Sequence, residues 1–225
     1  MTPEVLVRSA TAWEAVPFVA EITLLTAAGP SGLWDLWDRT ERDAPPFWAF
    51  PWAGGQALAR YLLDHPATVA GQCVLDVASG SGLVAIAAAK AGAASVIAGD
   101  IDPNAVAAIG INAAANGVTV TARTFDLAVD RVDRVDRADR ADRAADPAGV
   151  DVVLVGDVFY QRELAERALV FLREAAGSGI DVLVADPGRA FLPAGSLTSL
   201  ISYQVPVHSV LENASVKNVT VYRLS

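Results

Sequence analysis

Val74-Leu-Asp-Val-Ala-Ser-Gly-Ser-Gly82 is the stretch that decides the fold of this 225-residue chain. The apolar run Cys73–Val77 reads as a buried strand, yet it carries a carboxylate, Asp76. It leads into a turn with glycines at 80 and 82, and a helical pattern opens at Leu83-Val-Ala-Ile-Ala-Ala-Ala. Glycine has no Cβ, so such a turn lets backbone pass close to a ligand. A second carboxylate, Asp100, stands 24 positions after Asp76 at the end of the next apolar run. That is where the hydroxyls of a ribose would be met, so the pair points to an adenosine cofactor.

Outward from this stretch, short apolar runs alternate with helical patterns. Strands are expected at 73–77, 95–99, 118–124, 151–156 and 180–185, with helices at 82–91, 103–115 and 161–175. Such alternation implies right-handed crossovers and a parallel sheet. Beyond Pro187, the β-rich segments Leu200–His208 and Ser215–Leu224 read as a hairpin closing the sheet, with one strand antiparallel. The expected fold is α/β: a doubly wound, mostly parallel seven-strand sheet. Residues 1–72 are expected to form a helical cap of the same domain, its clearest helix at Gly55–Asp64; residues 73–225 form the core. Trp13, Trp34, Trp37 and Trp48 precede Pro51 in that cap, and Trp52 follows it. Trp48 and Trp52 flank the proline just before the helix that leads to the first sheet strand.

Composition narrows the partners. Apolar residues make up 53% of the chain, which excludes a disordered protein, and no apolar run approaches the roughly 18 residues of a membrane span. No signal peptide is visible, and the single cysteine, Cys73, fits a reducing, cytoplasmic location. A net charge of −9 argues against nucleic acid and suits a cationic acceptor, a lysine-bearing protein or a small amine. Neither a membrane partner nor a metal is expected, since His65 and His208 offer no ligand set. A monomer or weak dimer is expected. Residues 129–146 repeat an Asp-Arg triplet in which Asp130, Asp133, Asp136 and Asp139 each meet an Arg four positions on, which reads as a surface helix or a partly disordered insertion.

The site candidates gather at the carboxyl ends of the expected strands, where open α/β sheets bind ligands. Gly80-Ser-Gly-Leu-Val-Ala85 matches a loose dinucleotide pattern, which alone is weak. Asp76 inside the strand separates this chain from that class. Asp102 reads as a helix N-cap ahead of Pro103. Asp126, just after the third expected strand, reads by itself as a solvated loop residue. Gly156-Asp-Val-Phe-Tyr160 ends the fourth strand. Asp157 there suits an amine that arrives as ammonium, or else caps the helix that follows.

Asp76-x-x-x-Gly80-x-Gly82 resembles motif I of the class I S-adenosylmethionine (SAM) methyltransferases, departing from its commonest form at Ala78, where glycine is usual. Pro46-Phe-Trp-Ala-Phe-Pro-Trp-Ala-Gly-Gly-Gln-Ala-Leu-Ala-Arg60, Gly99-Asp-Ile-Asp-Pro103, Gly156-Asp-Val-Phe-Tyr160 and Ala185-Asp-Pro-Gly-Arg189 extend the likeness. Together they resemble the electron-transfer-flavoprotein β-subunit lysine methyltransferase group and its bacterial relatives, and even Glu21-Ile-Thr-Leu24 is similar. The resemblance implies SAM as cofactor, held by Trp52, Gly54, Asp76, Ala78, Gly80, Gly82, Asp100, Ile101, Asp126 and Gly156. It implies Asp157 and Tyr160 as the residues that position an acceptor lysine. Arg189 is left with two readings, an acidic group of the substrate or a loop carbonyl. The alternatives are a small-molecule N- or O-methyltransferase and a SAM-binding protein without catalysis.

Overall fold

The computed structural model describes residues 2–27, 32, 35, 45–131 and 149–224. Its main sheet has seven strands: β3 (Cys73–Val77), β4 (Ser95–Asp100), β5 (Thr121–Thr124), β6 (Val152–Gly156), β7 (Asp181–Asp186), β8 (Leu197–Pro206) and β9 (Val216–Leu224). They lie in the order β5-β4-β3-β6-β7-β9-β8. The first five run parallel, and β9 is antiparallel to both of its neighbours. The chain therefore leaves β3 toward β4 and β5, then returns to place β6 on the other side. The crevice at a topological switch point opens between β3 and β6.

Residue parity along the strands divides the core. Val74, Val96, Ala98, Leu154 and Leu183 face one layer, and Leu75, Val77, Val153, Val155 and Val184 face the other. The first layer holds α2 (Ala53–Asp64), α3 (Leu83–Lys90) and α4 (Pro103–Ala115). Leu83 to Ala88 of α3 are all buried, as a helix that is apolar all round must be. The second layer holds α5 (Arg162–Gly177), which buries Ala165, Ala168, Phe171, Leu172 and Ala175 along one stripe. Asp102 caps α4 through the Asn104 N–H at 2.9 Å, with Pro103 at the first helical position.

Three elements depart from the sequence expectation. The fifth strand begins at Thr121 rather than at 118, because Gly117 adopts φ +68° to end the preceding helix turn. The final strands are joined through a four-residue helix, α6 (Ser209–Glu212), closed by Asn213 at φ +55°. The segment ahead of the sheet is not wholly helical. After α1 (Pro3–Ala10) it forms an antiparallel hairpin, β1 (Thr11–Val16) and β2 (Val19–Ala27), around Pro17-Phe18. β2 is rich in β-branched residues and buries Ile22 and Leu24 to Ala27, while most of β1 is exposed. That mixture hid the alternation a strand pair normally shows.

The hairpin is fastened to the core by side chains rather than by a third strand. Asn112 of α4 accepts the Leu25 N–H at 2.9 Å, and Asn116 accepts the Thr23 N–H at 3.1 Å. Asn116 also donates to the Thr23 carbonyl at 2.7 Å, and Asn112 to the Ser81 carbonyl at 2.8 Å. Trp34, Trp37 and nearly all of the Asp-Arg run lie outside the described residues.

Candidate active site

The carboxyl ends of β3, β4 and β6 open into a cavity of about 370 Å³. Of the expected site residues, Trp52, Asp76, Ala78, Gly80, Asp100, Ile101, Asp126, Gly156, Asp157 and Tyr160 lie in its wall. Gly54 and Gly82 do not. Gly82 caps α3 at φ +83°, where an added Cβ would meet Ile109 Cα at 3.2 Å. Gly54 packs under the wall, where a Cβ would meet the Ala185 carbonyl oxygen at 2.5 Å and Asp157 Oδ2 at 2.6 Å. Both glycines let structural elements approach one another closely.

The glycine turn is tied to both strand-end carboxylates. Asp76, buried in β3, accepts Ser79 Oγ at 2.5 Å and the Ala85 N–H at 3.2 Å. Burial pushes its carboxyl up to about 7, against the opposing pull of those bonds. Asp100 accepts the Gly80 N–H on Oδ2 at 2.8 Å and the Asp102 N–H on Oδ1 at 2.9 Å. Burial raises its carboxyl too, and the two N–H bonds oppose the rise. Ala78 takes φ +52°, the left-handed region, which explains why glycine is usual at that position. Asp126 closes its own turn by accepting the Ala128 N–H at 2.8 Å.

Asp157 is also left-handed, at φ +55°, a conformation aspartate tolerates better than most residues. It does not cap α5, whose N-cap is Gln161 without a side-chain bond. It binds the N-terminus of α2 instead, accepting the Gly54 N–H on Oδ2 across 103 residues of chain. Its other oxygen, Oδ1, accepts Arg189 Nε at 2.9 Å and Nη2 at 2.6 Å. Among the described residues the Arg189 side chain thus pairs with carboxylates of the chain itself rather than with a loop carbonyl. Burial raises the Asp157 carboxyl to about 6, with Arg189 opposing.

An aromatic rim frames the opening. Phe47 packs edge-on to Trp52 at 5.6 Å between ring centroids and to Tyr160 at 5.4 Å, and Phe50 packs on Trp52 at 5.3 Å. Trp52 Nε1 donates to the Phe47 carbonyl at 2.8 Å, which fixes the short turn Phe47–Ala49. Sequence reasoning singled out Trp48 and Trp52 but missed Phe47 and Phe50, although both lay in the quoted Pro46–Arg60 stretch.

The residues fit an adenosine sulfonium. The volume falls within the roughly 300–1,000 Å³ of small-molecule sites. A carboxylate offers about four lone-pair sites, and the backbone N–H groups around Asp100 do not fill them, which leaves acceptor capacity for hydroxyl donors. Trp48, in the wall, buries an Nε1 donor that has no partner among the described residues.

Fold and site together define a class I methyltransferase fold. Residues 57–142 match the family model described as ribosomal protein L11 methyltransferase (PrmA). The solved magnesium protoporphyrin IX methyltransferase from Synechocystis superposes with a TM-score of 0.51 at 16% identity, covering 88% of this chain and 96% of that one. The mouse electron transfer flavoprotein beta subunit lysine methyltransferase is 36% identical over 80% of this chain, which spans 65% of the mouse protein's length. The Caenorhabditis elegans homologue is 31% identical over 74% of this chain and 68% of its own length. The chain belongs to the electron transfer flavoprotein beta subunit lysine methyltransferase family.

Proposed function

We propose that this protein is a SAM-dependent lysine N-methyltransferase whose acceptor is the β subunit of an electron transfer flavoprotein. The observation that carries the reading is the convergence of Asp100, the glycine turn, Asp157 and Tyr160 on one cavity. SAM, when bound, supplies an electrophilic methyl group. Asp100 would bind the ribose hydroxyls, Asp76 would face the cationic end through the turn, and Ile101 would lie against the base. In-line methyl transfer asks mainly for alignment and the exclusion of water, which the aromatic rim supports.

The acceptor amine must arrive and lose a proton. A lysine ammonium titrates near 10.4 in water, so it enters charged. Phe47, Trp52 and Tyr160 offer ring faces to a cation at the rim. Three N–H donors occupy the Asp157 carboxylate, which leaves one lone pair of Oδ2 for an amine N–H. That single acceptor orients the nitrogen, and the apolar surroundings favour its neutral, nucleophilic form.

Methyl-labelled SAM incubated with purified flavoprotein and with a cell extract tests the reading. Label is expected in the flavoprotein β subunit at lysine. Label confined to small molecules would sink the lysine reading and leave a small-molecule methyltransferase.

A further inference from the structure

The ionic contacts of Asp157 continue past the cavity wall. The Nη2 that Arg189 gives to Asp157 also reaches Glu212 Oε1 at 3.2 Å. Glu212 is the last residue of α6, between the two C-terminal strands, and its side chain is 0% exposed. It is not part of the cavity wall, so it has no path to an acceptor held there. Its Oε2 has no partner among the described residues. A buried carboxylate so poorly satisfied costs stability that an apolar residue of similar volume would not.

We infer that Glu212 is a positioning residue for methyl transfer, setting through Arg189 the orientation and charge of the Asp157 carboxylate. The inference rests on the methyltransferase reading above. Two of the three donors that fix Asp157 come from one guanidinium, and Glu212 holds the outer edge of that guanidinium. The Arg fork is planar and rigid, so anchoring one nitrogen fixes the plane in which the others meet their acceptor.

Among the described residues, the charged or titratable groups facing Asp157 are Arg189 from the loop after β7, Glu212 from α6, and Tyr160 from its own turn. Asp186, at the end of β7, faces Arg189 and Glu212. It accepts the Gly188 and Arg189 backbone N–H groups at 2.7 and 2.6 Å, shaping the loop from which Arg189 reaches inward. Beyond burial, the charge of Arg189 pulls the Asp157 carboxyl down and that of Glu212 pushes it up. Removing the Glu212 charge therefore lowers the Asp157 titration midpoint, and removing Arg189 raises it. A residue that merely filled space would move neither.

The experiment compares the full chain with Glu212→Gln and Glu212→Asp, each first checked for SAM binding. One readout follows Asp157 by carbon NMR of carboxyl-labelled aspartate; the other is the pH dependence of methyl transfer from labelled SAM. In Glu212→Gln the Asp157 midpoint should fall by on the order of one pH unit, with the acid limb of kcat following it. kcat should drop about tenfold, as expected for loss of one aligning charged contact, with the KM for SAM little changed. Glu212→Asp keeps the charge but is one methylene short of Arg189, so the midpoint stays and kcat falls. If Glu212→Gln does not bind SAM, Glu212→Asp decides by its fall in kcat at an unchanged KM for SAM. An unchanged midpoint and pH limb in Glu212→Gln, or an unchanged kcat in Glu212→Asp, would overturn the inference. A wild-type protein that methylates no lysine defeats the substrate reading instead, and the NMR midpoints alone then decide for or against Glu212.

Discussion

Gly80 donates its backbone N–H to Asp100 Oδ2 at 2.8 Å, so the turn after β3 and the carboxylate ending β4 form one unit. The strands set this up: Asp76 pairs with Ala98 and Val77 with Gly99, which leaves Asp100 beside the turn. A ligand's hydroxyls would therefore meet an acceptor whose position the backbone already fixes.

Asp100→Ala should weaken SAM binding by about 2 kcal/mol, the value of a hydrogen bond to a charged group, read by titration calorimetry. Asp102→Ala is the control. It removes an N-cap, so it should lower unfolding stability by about 1 kcal/mol with a smaller effect on SAM affinity.

Asp76 makes a pH prediction. Its folded-state value, about 7, lies above its ordinary 3.8, so the ligand-free native state binds the proton more tightly than the unfolded chain. Its contribution is fully present below about 3.8 and is lost as pH rises through about 7. Urea midpoints of the ligand-free protein at pH 5 and pH 8 should differ more in the wild type than in Asp76→Asn, with the wild type relatively weaker at pH 8.

Ala78 stands in the left-handed region at φ +52°. Ala78→Gly should be neutral or stabilising by up to about 1 kcal/mol, whereas Ala78→Val, β-branched, should destabilise by about 2 kcal/mol. Denaturant unfolding of the two variants checks the ordering.

At the rim, Tyr160→Phe keeps the ring against Phe47 and should retain methyl transfer within about threefold. Tyr160→Ala removes it and should raise the KM for the acceptor about tenfold. Equal losses in both variants would assign the role to the hydroxyl instead.

How much of this was legible in the sequence follows the separation between interacting residues. Asp76 and Asp100 could be read because each sits beside its own turn, within a pattern whose period is local. The parallel strands were legible for the same reason, being short apolar runs between helical ones. The β1–β2 hairpin escaped because β1 is largely exposed and so lacks the alternation of a half-buried strand. The partners of Asp157 escaped because they lie 103, 32 and, through Arg189, a further 23 residues away. Nothing local in Gly156-Asp-Val-Phe-Tyr160 announces an arginine after β7 or a glutamate on α6.

Asn112 and Asn116 have a consequence for how the molecule meets others of its kind. A strand with a bare edge is a template for any passing strand, and among the described residues β2 pairs with β1 on one side only. The Thr23 N–H and carbonyl and the Leu25 N–H are the groups through which such a strand would add. Two amide side chains on a helix already occupy them, so β2 is closed on that side to the addition of a further strand.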